Sequence, residues 1–313
     1  MRPGRSVGTI LLVLALAAHV GGAPARSPSI HDELVERERQ DGLAIASYYV
    51  NLGVVLFDQR KQISLGMIAP PPTSTFAAIS PDGTFLALGK NEGRDAMALF
   101  RIDSGEGRTF GFSASPSCWS HDGKFVAAEK RVRTTSPDLR IVELSSGGVT
   151  IVRRDAEYAT PFSAQCFSPD DSQVVFEQDA KVYVFDRASQ SAREVAAGRD
   201  PSWTPDGTEI AYRIDGAYYA IPLSGGAARL LFHRRRAFGA LSWSPDGKFV
   251  AYNTGDPVFR NITDEDVHLR VRRVADGAEE IVATVWTLGS PCVWVENRDL
   301  VSRAVKISAA KAR

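Results

Sequence analysis

Cysteine and histidine are scarce in this 313-residue sequence, and neither sign of charge is in excess. Three cysteines are an odd number, so they cannot all pair within the chain, and a scaffold built on disulfides is excluded. The 37 basic and 37 acidic side chains give a formal charge of zero, which argues against a uniformly basic nucleic-acid-binding protein. The five histidines show no metal-ligand spacing, so we predict no metal site and no cofactor.

Recognisable catalytic motifs are also missing. No Gly-x-Ser-x-Gly sequence is present, so the nucleophile elbow of α/β-hydrolases is absent. Cys118, Cys166 and Cys292 fall in predicted strands with no base nearby, so we expect small buried side chains rather than nucleophiles. We predict no catalytic residue.

The only long apolar run is N-terminal. Arg2 and Arg5 precede the run Ile10–Ala18, and small residues follow, which predicts a secretory signal peptide over residues 1–25. The alternative is an uncleaved anchor, which needs about 20 apolar residues. The segment from Ile10 to Val20 has only eleven residues, and His19 is one of them. We therefore expect a periplasmic or secreted protein with no stable membrane span after cleavage.

A short helix is predicted within an N-terminal segment spanning residues 26–43. Ser29 suits the N-cap position, and Asp32 and Glu33 suit the first turn of a helix over residues 29–40.

The rest of the chain repeats one unit, in which a large apolar residue is followed by a hydroxyl residue and a Pro-Asp-Gly turn or a variant of it. The copies begin at Ile79, Trp119, Phe167, Trp203 and Trp243, and a degraded sixth begins at Trp294. Their hydroxyl residues, at positions 80, 120, 168, 204 and 244, are separated by 40, 48, 36 and 40 residues. Short apolar strands surround each turn, and four antiparallel strands every forty or so residues predict the blades of a β-propeller.

The unit Trp243–Ala251, which reads Trp-Ser-Pro-Asp-Gly-Lys-Phe-Val-Ala, resembles the WD-like repeat of TolB-type β-propellers. The resemblance covers about residues 44–305. It implies a propeller domain over residues 44–313 and a periplasmic interaction scaffold. The repeated residues build turns and strands, so the resemblance says much less about function.

Counting strands predicts an all-β fold with six four-stranded antiparallel blades, the last closed by strands from both chain ends. We expect two C-terminal strands, around Cys292–Val295 and Leu300–Ala304, to pair with N-terminal strands over residues 52–58 and 62–65. A five-bladed ring with stray terminal strands is the alternative. Seven blades would need residues 47–50 to nucleate another sheet.

The aromatic residues at one repeat position predict core packing between blades rather than a ligand cage. They are Trp119, Phe167, Trp203, Trp243 and Trp294.

The two faces of the ring differ in the loops they carry. The turns between first and second and between third and fourth strands are short and stereotyped, and they define the short-turn face. The other connections are long and varied, and they define the long-loop face. Basic and aromatic residues gather there, as at many protein interfaces. We predict a binding surface formed by Arg131, Arg133, Arg153, Arg154, Tyr158, Arg234, Arg235, Arg236 and Trp286.

These features favour a monomeric, non-catalytic propeller that binds another envelope or secreted protein, or an envelope polyanion, through the long-loop face. The alternative is a propeller enzyme, of a lactonase or lyase kind, with a site over the central channel. Gln165 and Asp200, at the starts of first strands, are the candidate channel-lining residues. With a single charged residue among those starts, a metal cage there is not expected.

Overall fold

The computed structural model describes residues 28–49, 53–58, 61–64, 76–89, 97–112, 115–132, 135–154, 166–255, 267–284 and 292–303. The predicted signal peptide lies outside these residues. Within them, no helix is both long enough and apolar enough to cross a bilayer.

The predicted N-terminal helix is present as α1 (Ile30–Asp41). The Ser29 hydroxyl caps it by accepting a hydrogen bond from the Asp32 amide at 3.1 Å. Gly42 ends it with φ of +70°. A Cβ there would lie 2.6 Å from the Arg298 backbone nitrogen, so both the backbone conformation and the close approach require glycine.

The remainder of the described chain is almost entirely strand. In chain order the strands are β1 (Leu43–Tyr49), β2 (Gly53–Asp58), β3 (Lys61–Ser64), β4 (Phe76–Ile79), β5 (Phe85–Gly89), β6 (Ala98–Arg101), β7 (Gly107–Thr109), β8 (Ser115–Trp119), β9 (Phe125–Val132), β10 (Thr135–Glu143), β11 (Val149–Arg153), β12 (Gln173–Gln178), β13 (Lys181–Asp186), β14 (Ser191–Ala197), β15 (Arg199–Trp203), β16 (Glu209–Ile214), β17 (Ala217–Pro222), β18 (Arg229–His233), β19 (Ala237–Trp243), β20 (Phe249–Thr254), β21 (His268–Arg273), β22 (Glu279–Thr284) and β23 (Val293–Glu296).

These strands form six antiparallel sheets, which confirms the six-bladed β-propeller. Blades 1, 2, 4 and 5 are β4–β7, β8–β11, β15–β18 and β19–β22. Blade 3 is β12–β14, and its first strand is reduced to a single bridge between Phe167 and Val174. Blade 6 is β23, β1, β2 and β3 in that order. First strands of neighbouring blades contact one another, as β4 does β8 and β15 does β19, which places them nearest the axis.

Both chain ends close the ring, but not in the predicted proportion. Blade 6 takes one strand from the C-terminal end and three from the N-terminal end, because β1 pairs with β23 from Leu43↔Glu296 to Ala46↔Val293. The strand predicted around Leu300 is wrong, since residues 298–303 are helical. The Asn297 side chain accepts a hydrogen bond from the Leu300 amide at 2.9 Å and so caps this helical turn.

The additional strand is β1, whose residues 47–49 join blade 6 instead of nucleating a seventh sheet. A five-bladed ring is likewise wrong, because the sixth sheet is complete.

Apolar clusters fill the interfaces between blades, and the repeat-position aromatics lie in them. Trp203 is 2% exposed and Phe167 is fully buried, which confirms the prediction of core packing. Each indole N–H reaches the preceding blade. Trp119 donates to the Ala78 carbonyl at 2.9 Å and Trp203 to the Cys166 carbonyl at 3.1 Å. Trp294 donates to the Ser242 carbonyl at 2.9 Å. The repeated residue thus supplies both buried area and a hydrogen bond between neighbouring blades.

The expectation of small buried side chains is confirmed for Cys118 and Cys166, but these two cysteines are also paired with each other. Cys118, on β8, and Cys166, just before the blade 3 bridge, form a disulfide with Cα atoms 6.1 Å apart. Both residues are buried. Cys292 is the cysteine outside this bond. Blades 2 and 3 are therefore joined covalently.

A second link between these two blades comes from paired departures from the repeat. His121 stands where most copies have proline, so it offers a backbone N–H, and Asp171 stands where most have glycine, with φ of +58°. The Asp171 carboxylate accepts from the His121 amide at 2.7 Å and from the Asp122 amide at 2.9 Å. Arg187 lies over the Phe125 ring at 3.9 Å and donates to the Asp171 carbonyl at 2.5 Å.

Candidate functional site

The short-turn face is held by a repeated hydrogen-bond pattern. In the copy at Trp243, the Ser244 hydroxyl donates to the Asp246 carboxylate at 2.7 Å and accepts from the Phe249 amide at 3.0 Å. The same carboxylate forms a salt bridge with Arg37 of α1 at 2.5 Å. Burial opposes ionisation, but hydrogen bonds from Ser244 and Arg37 outweigh it and lower the pKa of Asp246 to about 2. The charges of Asp246 and Arg37 therefore stabilise the fold and are not available to bind a ligand.

The long-loop face is less uniform than predicted. In blades 3 and 4 the connection between second and third strands is a two-residue hairpin, Asp179-Ala180 and Asp215-Gly216, with positive φ at all four residues. That backbone twist matches the twist of paired strands, so these hairpins are tight. The prediction of long connections throughout this face is therefore wrong for these two blades.

Three of the predicted binding residues form a tight turn between blades 4 and 5. Arg234, Arg235 and Arg236 connect β18 to β19, and the Ala237 amide donates to the Arg234 carbonyl at 3.1 Å. The Arg234 amide donates to Gly216 of blade 4 at 2.9 Å. The Gly255 amide of blade 5 donates to the Arg236 carbonyl at 3.0 Å. The backbone of this turn is thus fixed from both sides.

This turn lines an open pocket of about 290 Å³, which we name the arginine pocket. Its lining residues are Arg234, Arg235, Arg236, Thr254, Gly255, His268 and Arg270. None of them is acidic. In the part of the chain that the structure describes, neither Arg235 nor Arg236 has an acidic partner within salt-bridge distance. Among the described residues, the lining of the pocket is therefore positively charged, and Arg234 is the one arginine of the turn with an acid near it.

Glu279 is the described acid nearest to Arg234, and it is already engaged. Its carboxylate accepts from the Tyr252 hydroxyl at 2.6 Å and from Arg272 at 2.9 Å, whereas Arg234 lies 3.7 Å away. Burial and the bond to Glu279 raise the pKa of Tyr252, so the phenol stays protonated and donates. Glu279 thus neutralises Arg234 only weakly.

Sequence reasoning missed His268 and Arg270, which come from β21. The Arg270 Nε donates to the Thr254 hydroxyl at 3.0 Å, which orients the guanidinium. In the sequence, the two residues could have been found from their spacing, because residues two apart along a strand place their side chains on one face of the sheet. Pairing the strand that ends at Thr254 with the strand that begins at His268 would have brought both residues next to the Arg234–Arg236 turn.

The other predicted binding residues do not join this pocket. Arg153 and Arg154 are exposed and lie at the end of β11, where they line a separate open groove of about 500 Å³. Arg153 lies 5.9 Å from the Tyr183 ring of blade 3. Arg131 is in β9, and its side chain is not described. Arg133, Tyr158 and Trp286 lie outside the described residues.

Of the two channel-lining candidates, Asp200 is described and Gln165 lies outside the described residues. The Asp200 carboxylate is paired with Arg213 at 2.6 Å. The Asp200 amide donates a hydrogen bond to the Glu177 carboxylate at 2.9 Å, and the Arg199 guanidinium donates another to the same carboxylate at 3.1 Å. Burial raises the pKa of Glu177. Among the described residues, no group of three or more potential metal ligands occurs.

The ring of six antiparallel sheets, with a hydroxyl–carboxylate turn after its first strands, defines a six-bladed β-propeller built from WD-like repeats. TolB-type β-propellers are among the solved structures that share this fold.

One similar structure is that of a protein assigned as TolB in Agrobacterium tumefaciens, with a TM-score of 0.57 and 17% identity over 79% of this chain and 90% of that one. TolB from Acinetobacter baumannii gives the same TM-score of 0.57 and 17% identity over 82% of this chain and 66% of that one. Oligogalacturonate lyase in complex with manganese gives a TM-score of 0.51 and 17% identity over 78% of this chain and 79% of that one. No family model matches the chain, and no curated protein matches it. Identities this low establish the fold alone.

Proposed function

We propose that this protein is an exported, non-catalytic propeller that binds an acidic partner protein of the cell envelope through its long-loop face. The observation that carries the proposal is the arginine pocket, where Arg235 and Arg236 lack acidic partners among the described residues and Arg234 lies 3.7 Å from Glu279. Arginine is enriched at the energetic centres of protein interfaces, and unpaired charge accelerates encounter with a partner of opposite sign.

Export is supported by two independent features. The first is the predicted signal peptide over residues 1–25. The second is the disulfide between Cys118 and Cys166, because such bonds persist mainly in oxidising compartments. Similarity to TolB structures adds support for an envelope role.

The test is capture of partners from the envelope fraction of the host by the immobilised mature protein. We expect one or more acidic proteins to be retained by the wild type and released by raised salt, since exposed charge pairs are screened. Changing Arg234, Arg235 and Arg236 together to Ser should abolish retention. Changing Arg193 and Arg229, which are exposed residues on outer strands away from the pocket, should leave it intact. Undiminished retention by the triple variant would contradict the proposal.

A lyase-like enzyme is the second candidate, favoured by the similarity to oligogalacturonate lyase in complex with manganese. The carboxylate of Asp200 is engaged by Arg213, which weighs against a metal ligand there. Addition of Mn²⁺ to the purified protein decides between the two. A rise in melting temperature together with formation of unsaturated products from oligogalacturonate would favour the enzyme.

A further inference from the structure

The charge of the arginine pocket exceeds what a single carboxylate can neutralise. Four guanidinium groups line it, those of Arg234, Arg235, Arg236 and Arg270, and a guanidinium group carries one positive charge. A carboxylate brings one negative charge. A phosphoryl group brings about −1.5 to −2 at pH 7 and three strong acceptor oxygens. Several guanidinium forks around one small volume match the second kind of group better than the first.

The backbone at Arg236 supports a role for its side chain. Arg236 has φ of +60°, at the third position of a turn where glycine is favoured. Placing arginine there has a conformational cost, and such costs cluster at functional positions. The turn is also fixed by hydrogen bonds to Gly216 and Gly255, so a ligand meets a preformed backbone.

Thr254 completes the set of donors. Its hydroxyl accepts from the Arg270 Nε at 3.0 Å, and the hydroxyl proton remains available to an anion in the pocket. The pocket has about 290 Å³ and is open to solvent, so it admits a charged group that is attached to a larger molecule.

We infer that the arginine pocket binds a dianionic phosphoryl group. This inference goes beyond the function proposed above: it rests on the same pocket of the long-loop face, but its ligand is a phosphoryl group and not the acidic partner protein.

Calorimetric titration of the full-length mature protein tests this directly. The soluble probes are inorganic phosphate and glucose 6-phosphate, and galacturonate serves as a carboxylate of similar size. We expect both phosphates to bind at least about tenfold more tightly than galacturonate, since each charge-assisted hydrogen bond lost has an effect of that order. Equal binding of galacturonate, or no binding of either phosphate, would overturn the inference.

Substitution of Arg236 separates ligand binding from folding. R236G removes the guanidinium and relieves the positive φ, so phosphate affinity should fall about tenfold or more while the melting temperature stays the same or rises. R235S, at an exposed residue, should weaken phosphate binding without unfolding the protein. The matched control is R229S, because Arg229 is paired with Glu209 at 2.5 Å outside the pocket and its loss changes the net charge equally. Unchanged phosphate binding by R236G and R235S, or an equal loss in R229S, would refute the assignment.

Two further arms identify the source of the phosphoryl group and separate this inference from the broader proposal. Sedimentation with phosphatidylcholine vesicles containing phosphatidic acid reports a lipid-borne phosphate, and binding of glucose 6-phosphate alone reports a sugar-borne one. Either result supports the inference. If the triple Ser variant of Arg234, Arg235 and Arg236 loses phosphate binding but retains its envelope partner, the protein-docking proposal fails and the phosphoryl site stands. If the triple Ser variant loses its envelope partner but the wild type binds no phosphate, the phosphoryl site fails and the protein-docking proposal stands.

Discussion

Removing the disulfide between Cys118 and Cys166 should destabilise the propeller without unfolding it. The bond spans a sequence separation of 48 residues. Closing a loop of that length removes unfolded-state entropy worth about 4 kcal/mol at 25 °C. For a domain of this size, 1 kcal/mol corresponds to about 2 °C in melting temperature, so the variant C118A/C166A should melt about 8 °C lower. Alanine is the suitable replacement because both cysteines are buried.

The effect should be concentrated in blade 3. Its first strand consists of one bridge, Phe167↔Val174, so the disulfide, the indole of Trp203 and the Val175 amide, which donates to the Cys166 carbonyl at 2.7 Å, hold this segment. Amide hydrogen exchange should therefore accelerate at Val174 more than in blade 5. Dithiothreitol should lower the melting temperature of the wild type and of C292A, the thiol control, but not that of the double variant. Identical melting of all forms, reduced or oxidised, would refute the reasoning.

Three other changes follow from the fold. Trp203→Ala, which empties a buried site and removes the bond to Cys166, should lower the free energy of unfolding by about 3–5 kcal/mol, and an unchanged melting temperature would contradict burial there. Asp171→Gly restores the repeat and its preferred φ but removes two charge-assisted hydrogen bonds, so denaturant unfolding should show a loss of about 1–3 kcal/mol rather than a gain. The pKa of Asp246 is about 2 in the folded protein and about 3.9 in an unfolded chain, so its contribution is complete above about pH 4 and is lost as the pH falls toward 2. Arg37→Ala should raise the folded pKa and make melting temperature fall less steeply over that window, and an equally steep fall would argue against the Arg37–Asp246 contact.

Local chemistry explains what the sequence predicted well. A Pro-Asp-Gly turn between apolar strands is specified by residues within a few positions of one another, so blade number and the burial of Trp203 were predictable. The way the last blade closes was not predictable, because Leu300 and its neighbours are apolar enough to form a strand. In the structure this segment is a helical turn, which the Asn297 side chain caps.

Contacts between blades were predictable only in part. Cys118 and Cys166 occupy the same position in consecutive copies, and first strands of neighbouring blades contact one another, so this coincidence was a usable signal for the disulfide. The pairing of His121 with Asp171 carried a similar signal, as two departures from the repeat in adjacent copies. For the arginine pocket, the sequence indicated the turn at Arg234 but not its partners from β21.

The arginines of the Arg234–Arg236 turn differ from those of the short-turn face in how their charges are used, and this difference is the strongest reason to place the binding surface at that turn. On the short-turn side, described arginines are committed to the fold. Arg37 pairs with Asp246, Arg273 with Glu33 at 2.6 Å, and Arg187 with the Asp171 carbonyl. An incoming anion would have to break those contacts first. Around the Arg234–Arg236 turn the backbone is fixed, and the guanidinium groups of Arg235 and Arg236 have no acidic partner in the described chain, so a ligand gains their attraction at little reorganisation cost.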